Sequence, residues 1–347
     1  MPFLAIFGVV LDGLLGEPRR AHPLVGFGRC AKAIERVFNS QRKWPTFCRI
    51  AGIAAWCILI IAPVAAAFVL TDVLPGSFAY PVHCVLLWFA LGARSLYAHI
   101  LPIQRALQAR QLDAARRLTA HIVSRETSRT GETEIARAAV ESTLENGNDA
   151  IFGALFWFAL AGGPGALAFR LVNTLDAMWG YYTPQFFHFG WAAAKIDDLA
   201  NYVPARLTAL SYALCGDAQT ALRCWRTQAR EWRSPNAGLV IASGAGSLNV
   251  VCGGAARYHG IDEMRPLLGA GHAPQAADIG RAVRLVRRAL RLWLAVFTVI
   301  AALFVIFSRE QHRIPIAEKT VALFNRVPVR ETDSLHAGKG GHEHEQR

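Results

Sequence analysis

The chain has 347 residues, 53% of them hydrophobic and 18% charged, with a formal net charge of +12. That apolar content is too high for an ordinary soluble domain of this length. The basic residues flank apolar runs, as they do on the cytoplasmic side of membrane proteins, which argues against nucleic acid as a partner.

The opening apolar stretch is interrupted by Asp12 and Glu17 and has no basic segment before it, so a cleaved signal peptide is not expected. The uncharged run Ile50–Leu70 has the ~20 residues that a bilayer crossing needs. Pro63 within it predicts a kink of the kind membrane helices tolerate. After a turn around Asp72–Ser77, Phe78–Ala93 returns across the membrane. The intervening loop has no Lys or Arg, whereas Arg42, Lys43 and Arg49 precede the pair and Arg94, Arg105 and Arg110 follow it. The positive-inside rule therefore places the loop outside and both flanks in the cytoplasm.

Residues 95–150 read as polar and helical. Thr130 or Thr133 suits a helix cap, and Arg137, Glu141, Glu145 and Asp149 then recur every four residues. That spacing sets one arginine and three carboxylates on a single stripe. A solvated face with an Arg137–Glu141 ion pair explains the pattern. A site for a hard divalent cation such as Mg²⁺ explains why the stripe runs straight into apolar sequence at Ala150.

Ala150–Val172 is a third apolar segment, broken by Gly162-Gly163-Pro164-Gly165. A kinked span, a re-entrant pair of half-helices and a buried helical hairpin all fit it. Asn173 and Asp176 follow one turn apart, as helix-end groups before an aromatic belt or as part of a site. In "AAAKIDDLANYVPARLTAL" (192–210), a helix puts Asp197 and Asn201 on one face with Asp198 beside Asn201. An N-cap explains one aspartate but leaves the second, and Arg206, without a role. "RSPNAG" (233–238) reads as a turn.

"RAVRLVRRALR" repeats arginine at 281, 284, 288 and 291, a basic helical face suited to anionic lipid more than to a substrate phosphate. Leu292–Phe307 is a fourth apolar segment. The polar tail after Ser308 is expected to be disordered, and its three histidines are a weak metal signal. Seven cysteines without a CxxC pair indicate neither a disulfide framework nor a zinc site. No internal repeat is evident, and the strand signal is poor throughout. The expectation is an all-α polytopic integral membrane protein whose helical cytoplasmic segments form the site. It is read as one domain over 1–310, with spans near 50–70, 78–93, 151–172 and 292–307, followed by a tail over 311–347.

In order along the chain, "LDGLLGEPRRAHPLVGFGR", "SRET", "AAVESTLEN", "NTLDAMWGY", "FGWAAAKIDDLANYVPARLTAL" and "SPNAG" resemble the integral-membrane adenosylcobinamide-phosphate synthase family of cobalamin biosynthesis. The resemblance runs from about residue 3 to residue 305. It implies an ATP-dependent amide bond between the propionate of adenosylcobyric acid and (R)-1-aminopropan-2-ol or its phosphate. Two departures stand out: "LVIASGAGSLNV" follows "SPNAG" where the family carries an acid, and "ENGNDA" (145–150) stands for the usual "ENLVDG".

The resemblance further implies a site in the bacterial cytoplasmic membrane, facing the cytoplasm, with ATP and Mg²⁺ and no tightly bound cofactor. Asp197, Asp198, Glu145 and Asp176 are the expected catalytic acids, with Glu145, Asp149 and Asp198 toward the metal. Arg19, Arg125 and Arg206 would clamp phosphate or carboxylate, since a guanidinium binds either bidentately. Asn146, Asn173, Asn201 and Asn236, with Ser234 and Glu141, complete the expected substrate and nucleotide contacts, and His22 is an alternative base. Partners are then the corrinoid, the amine, ATP, membrane lipid and other cobalamin-assembly enzymes. Two rival readings are a non-catalytic inner-membrane sensor or regulator related to the family, and a transporter. The missing acid favours the first; against the second, the charges lie beside the apolar segments and not at their centres.

Overall fold

The computed structural model describes residues 2–17, 23–39, 44–181, 183–258 and 260–324. The chain divides into two units, Met1–Thr298 and Val299–Arg347. Helices dominate, and four stretches among the described residues are long and apolar enough to cross a membrane: Pro45–Val73, Gly76–Gln108, Glu132–Trp179 and Ala276–Phe307. The architecture is that of an all-α polytopic membrane protein.

In the first unit, α1 (Pro2–Leu15) and α2 (Pro23–Phe38) precede the long α3 (Pro45–Val73). At 1.5 Å per residue α3 is roughly 43 Å long, enough to traverse the ~30 Å hydrocarbon layer. Its Ile53, Ile58, Ile61 and Phe68 face outward, as lipid contact requires, while Ala55, Leu59 and Ile60 are buried. Helix α4 (Gly76–Ala90) runs back and breaks at Leu91-Gly92, where Gly92 N donates to Ala150 O (3.0 Å), before α5 (Ala93–Gln108) and α6 (Leu112–Ala120).

Helix α7 (Glu132–Gly147) continues through a π-helical turn (Asn148–Phe152) into α8 (Gly153–Trp179). The third apolar segment is not one rod. Ala161 (φ −132°, ψ 17°) and Gly162 (φ 63°, ψ −155°) leave helical geometry, and the chain folds back. A Cβ on Gly153 would lie 2.1 Å from the Phe169 ring, though sixteen residues of straight helix would separate the two by ~24 Å. Gly163 N donates to His83 Nδ1 (2.9 Å), which satisfies a donor freed at the restart of the helix. The segment is therefore a helical hairpin largely buried within the protein. This reversal brings the residues before Gly153 back to the end of α8.

Helix α9 (Trp191–Cys215) packs on this hairpin, and α10 (Ala218–Gln228) and α11 (Ala237–Leu248) pack on α9. The stretch after "SPNAG" is a buried helix of small residues: Gly244 touches Leu144, and Gly246 lies against the backbone of Thr220 and Ala221. The described residues also contain one sheet, which the sequence pattern did not reveal: β1 (Val251–Tyr258) pairs antiparallel with β2 (Ile261–Gly269). Its bulge at Gly253-Gly254, both at positive φ, disrupts the period-two alternation that would have announced a strand.

Helix α12 (Ala276–Phe324) carries Arg284, Arg288 and Arg291 on an exposed face opposite buried Val283, Val286 and Ala289. Arg281 departs from the expected basic face by engaging Asp278 (2.6 Å) and Leu248 O (2.7 Å). The helix runs on to Phe324, so the first part of the tail is helical and not irregular. The three tail histidines lie outside the described residues.

Candidate active site

Five carboxylates meet at one cavity of about 310 Å³: Glu145 from α7, Asp149 from the π-turn, Asp176 from the end of α8, and Asp197 and Asp198 from α9. The fold explains each placement. Glu145 and Asp149 precede the hairpin reversal and Asp176 follows it, so the reversal puts them at the same end. The π-turn advances each residue less around the axis than an α-turn does, which re-aims Asp149 relative to the stripe above it. Asp176 is held close by Gly180, where a Cβ would come within 2.0 Å of its Oδ1.

A chain of amides ties the acids together. Asn148 Nδ2 donates to Asp149 Oδ1 (2.9 Å) and to Asn201 Oδ1 (2.7 Å), and its own Oδ1 accepts from Thr208 Oγ1 (2.9 Å). Asn201 Nδ2 donates to Asp197 Oδ2 (3.1 Å), and Asn173 Nδ2 donates to Asp197 Oδ1 (3.4 Å). Asn236 Nδ2 donates to Asp198 O (2.7 Å), while Ser234 Oγ accepts from the amides of Asn236 and Ala237 at the start of α11. Asp197 is thus locked by two amides, whereas Asp198 is partly open and pairs loosely with Lys195 (3.9 Å).

Burial, and then the charges of Asp176 and Asp149, hold the Asp197 carboxyl well above the ordinary carboxylate range. Burial also raises Asp198, opposed by Lys195. Both lie on α9, outside the four candidate spans.

Several expected residues stand elsewhere. Glu141 is not on a solvated face and does not line the cavity; it is buried between Arg265, bidentate at 3.0 and 3.2 Å, and Arg125 at 3.2 Å, and accepts from Gly253 N (2.6 Å). Arg125 is thereby an internal counter-ion to Glu141. Arg206 lies over the Tyr202 ring, 3.4 Å from its centroid, and donates to Tyr202 O (2.6 Å). It does not line the cavity, although it reaches Asn236 Oδ1 at 3.5 Å. Asn146 donates back to Ser142 O (2.9 Å) within its own helix. Arg19 and His22 lie outside the described residues.

The cation that does line the cavity is Arg233, the one basic side chain among its described lining residues, beside Trp232 and Tyr181. In the sequence Arg233 reads as part of the bare turn "RSPNAG", and Tyr181 as part of the aromatic belt after Asp176. That same turn is what delivers Arg233 beside the α9 acids.

The donor set is wholly hard oxygen, which fits Mg²⁺ and not a soft metal. Among the described residues no three His, Cys, Asp or Glu side chains are gathered into a ready-made cage. That arrangement suits a cation that keeps several waters and is held by one or two carboxylates plus substrate phosphate.

A polytopic helical membrane protein with an acid-lined cavity beside its buried hairpin is the class these features define. The CobD/Cbib protein family model matches residues 5–286, and the chain belongs to that family. It is similar to the cobalamin biosynthesis protein CobD of Stutzerimonas stutzeri, 55% identical over 297 residues, spanning 85% of this chain and 96% of the relative. The protein of that name from Chromobacterium violaceum is 52% identical over 84% of this chain and 94% of its own. The Mycobacterium tuberculosis protein is 40% identical over 81% and 90%. No solved structure matches the chain.

Proposed function

We propose that the chain acts in cobalamin biosynthesis as an adenosylcobinamide-phosphate synthase in the bacterial cytoplasmic membrane. It joins the propionate carboxylate of adenosylcobyric acid to (R)-1-aminopropan-2-ol or its phosphate with consumption of ATP. The observation that carries this reading is the meeting of Glu145, Asp149, Asp176, Asp197 and Asp198 with Arg233 at one cavity, in a chain of this family.

A carboxylate is a poor acyl donor. Its oxygen attacks the γ-phosphorus of ATP, the bond to the β-phosphate oxygen breaks, and ADP leaves. The amine nitrogen then attacks the acyl phosphate carbon, the C–O bond to phosphate breaks, and the amide forms. Arg233 neutralises the phosphoryl oxygens and aligns them with the carboxylate. Asp198, partly open and raised by burial, takes the proton that the amine loses, because a carboxylate raised toward neutrality is the better base. Asp197, fixed by Asn173 and Asn201, orients the amine. Mg²⁺, held through Glu145 and Asp149, would supply further neutralisation of phosphate charge.

The test is amide formation by detergent-purified protein given adenosylcobyric acid, aminopropanol phosphate and Mg-ATP. No product, under conditions where a relative makes it, overturns the synthase reading and leaves the non-catalytic one.

A further inference from the structure

A second cavity, about 580 Å³, adjoins the acid cavity and shares Tyr181, Trp232 and Arg233 with it. Its own wall comes largely from the β-hairpin that the sequence did not announce, through Tyr258 and Glu263, with Glu231 facing in from the turn before Trp232. The two cavities therefore form one groove with a graded chemistry. Tyr258, Glu231, Glu263 and Arg265 stand at one end, Tyr181, Trp232 and Arg233 stand at the shared wall, and clustered carboxylates stand at the other end.

We infer that this adjoining cavity seats the nucleotide of the proposed reaction, with the purine stacked against Trp232 and Tyr258 and the phosphates directed past Arg233 into the acid cavity. The inference rests on the ATP-dependent reading and adds to it where the nucleotide lies. Three physical points support it. Aromatic faces stack any base, worth about a tenfold or greater change in binding per base. Carboxylates such as Glu231 and Glu263 accept hydrogen bonds from ribose hydroxyls or an exocyclic amino group. A guanidinium between base and metal end stands where phosphate charge must pass.

Size agrees. The volume falls within the ~300–1,000 Å³ that envelops a drug-sized ligand such as a nucleotide, and a corrinoid is much larger. The wall is also set before any ligand arrives. Arg265, which also lines this cavity, lies 5.2 Å from the Trp232 ring centroid with its guanidinium pinned by Glu141, so the indole packs against a fixed neighbour.

The test uses the full chain in detergent with photoreactive 8-azido-ATP and Mg²⁺. Label is expected on peptides containing 231–233 or 258–263, chased by ATP and not by adenosylcobyric acid. Trp232→Ala and Tyr258→Ala should each weaken Mg-ATP binding about tenfold, while Trp232→Phe and Tyr258→Phe stay within about threefold because the stacking face remains. Label elsewhere on a protein that does bind Mg-ATP, or label chased by the corrinoid, overturns the assignment and leaves the ATP dependence standing. Wild-type protein that binds no Mg-ATP overturns both.

Discussion

Replacing Glu141 with Gln isolates what the buried ion cluster contributes. The carboxylate is 6% exposed and accepts from three donors, both terminal nitrogens of Arg265 and the amide of Gly253, while the Arg125 guanidinium pairs with it as an ion at 3.2 Å. Gln preserves the shape and one acceptor, so Gly253 or Arg265 keeps a hydrogen bond. The negative charge is lost, and two guanidinium side chains only 8% and 12% exposed are left facing each other with nothing to neutralise them. Removing one partner of a buried ion pair in this way costs about 3–5 kcal/mol. That is a large share of the ~5–15 kcal/mol that holds a typical domain folded. The loss is local in origin, because Glu141 joins α7 to the β-hairpin through Gly253 and Arg265. We expect a lowered unfolding temperature in detergent, and faster amide hydrogen exchange across 251–269 than in α7. A variant within about 0.5 kcal/mol of wild type, the range of a neutral surface change, with hairpin exchange unaltered, would refute the anchoring role.

Three further outcomes are expected. The native Asp197 carboxyl titrates well above its ordinary value, so the folded state keeps a proton that the unfolded chain releases near pH ~3.9. Wild-type stability therefore falls as pH rises from there to the native value, and Asp197→Asn escapes that fall. Melting curves at several pH values should converge near pH ~4 and separate in favour of the variant at higher pH; parallel curves would contradict the shift. Gly180→Ala forces Asp176 Oδ1 out of its place, since the new Cβ would come within 2.0 Å of it and 2.8 Å of the Asp176 carbonyl oxygen, and should reduce the proposed amide synthesis by as much as ~10²-fold. Turnover within twofold of wild type would show that the Asp176 position is immaterial. Gly162→Ala puts a side chain on a backbone at φ 63°, ψ −155°, a region glycine alone occupies readily, and should destabilise by about 1–3 kcal/mol, read as a drop in unfolding temperature.

Membrane character was legible in the sequence because it is local. An uncharged run such as Ile50–Leu70 has no soluble solution for its surface, and burying it in lipid needs no partner far along the chain. The alignment of Asp197 with Asn201 was equally local, since helical periodicity alone puts residues four apart on one face, and the structure joins them at 3.1 Å. The β-hairpin escaped notice because its bulge and its glycines erase alternation.

The remaining features belonged to tertiary structure. Stripe periodicity put Glu141 and Glu145 together, yet one is buried between two arginines and the other lines a cavity, because the neighbours packed on each helical turn differ. Arg206 and Arg233 carry the same charge. Packing on Tyr202 turns the first away, and a turn before α11 brings the second in. The acids at 145, 149, 176, 197 and 198 meet only because the chain reverses at Ala161–Gly162 and α9 packs beside the fold-back. Sequence thus determined which groups were too polar for their surroundings to be accidental. Which of them share a cavity depended on contacts between residues far apart in the chain, and those exist only once the helices have packed.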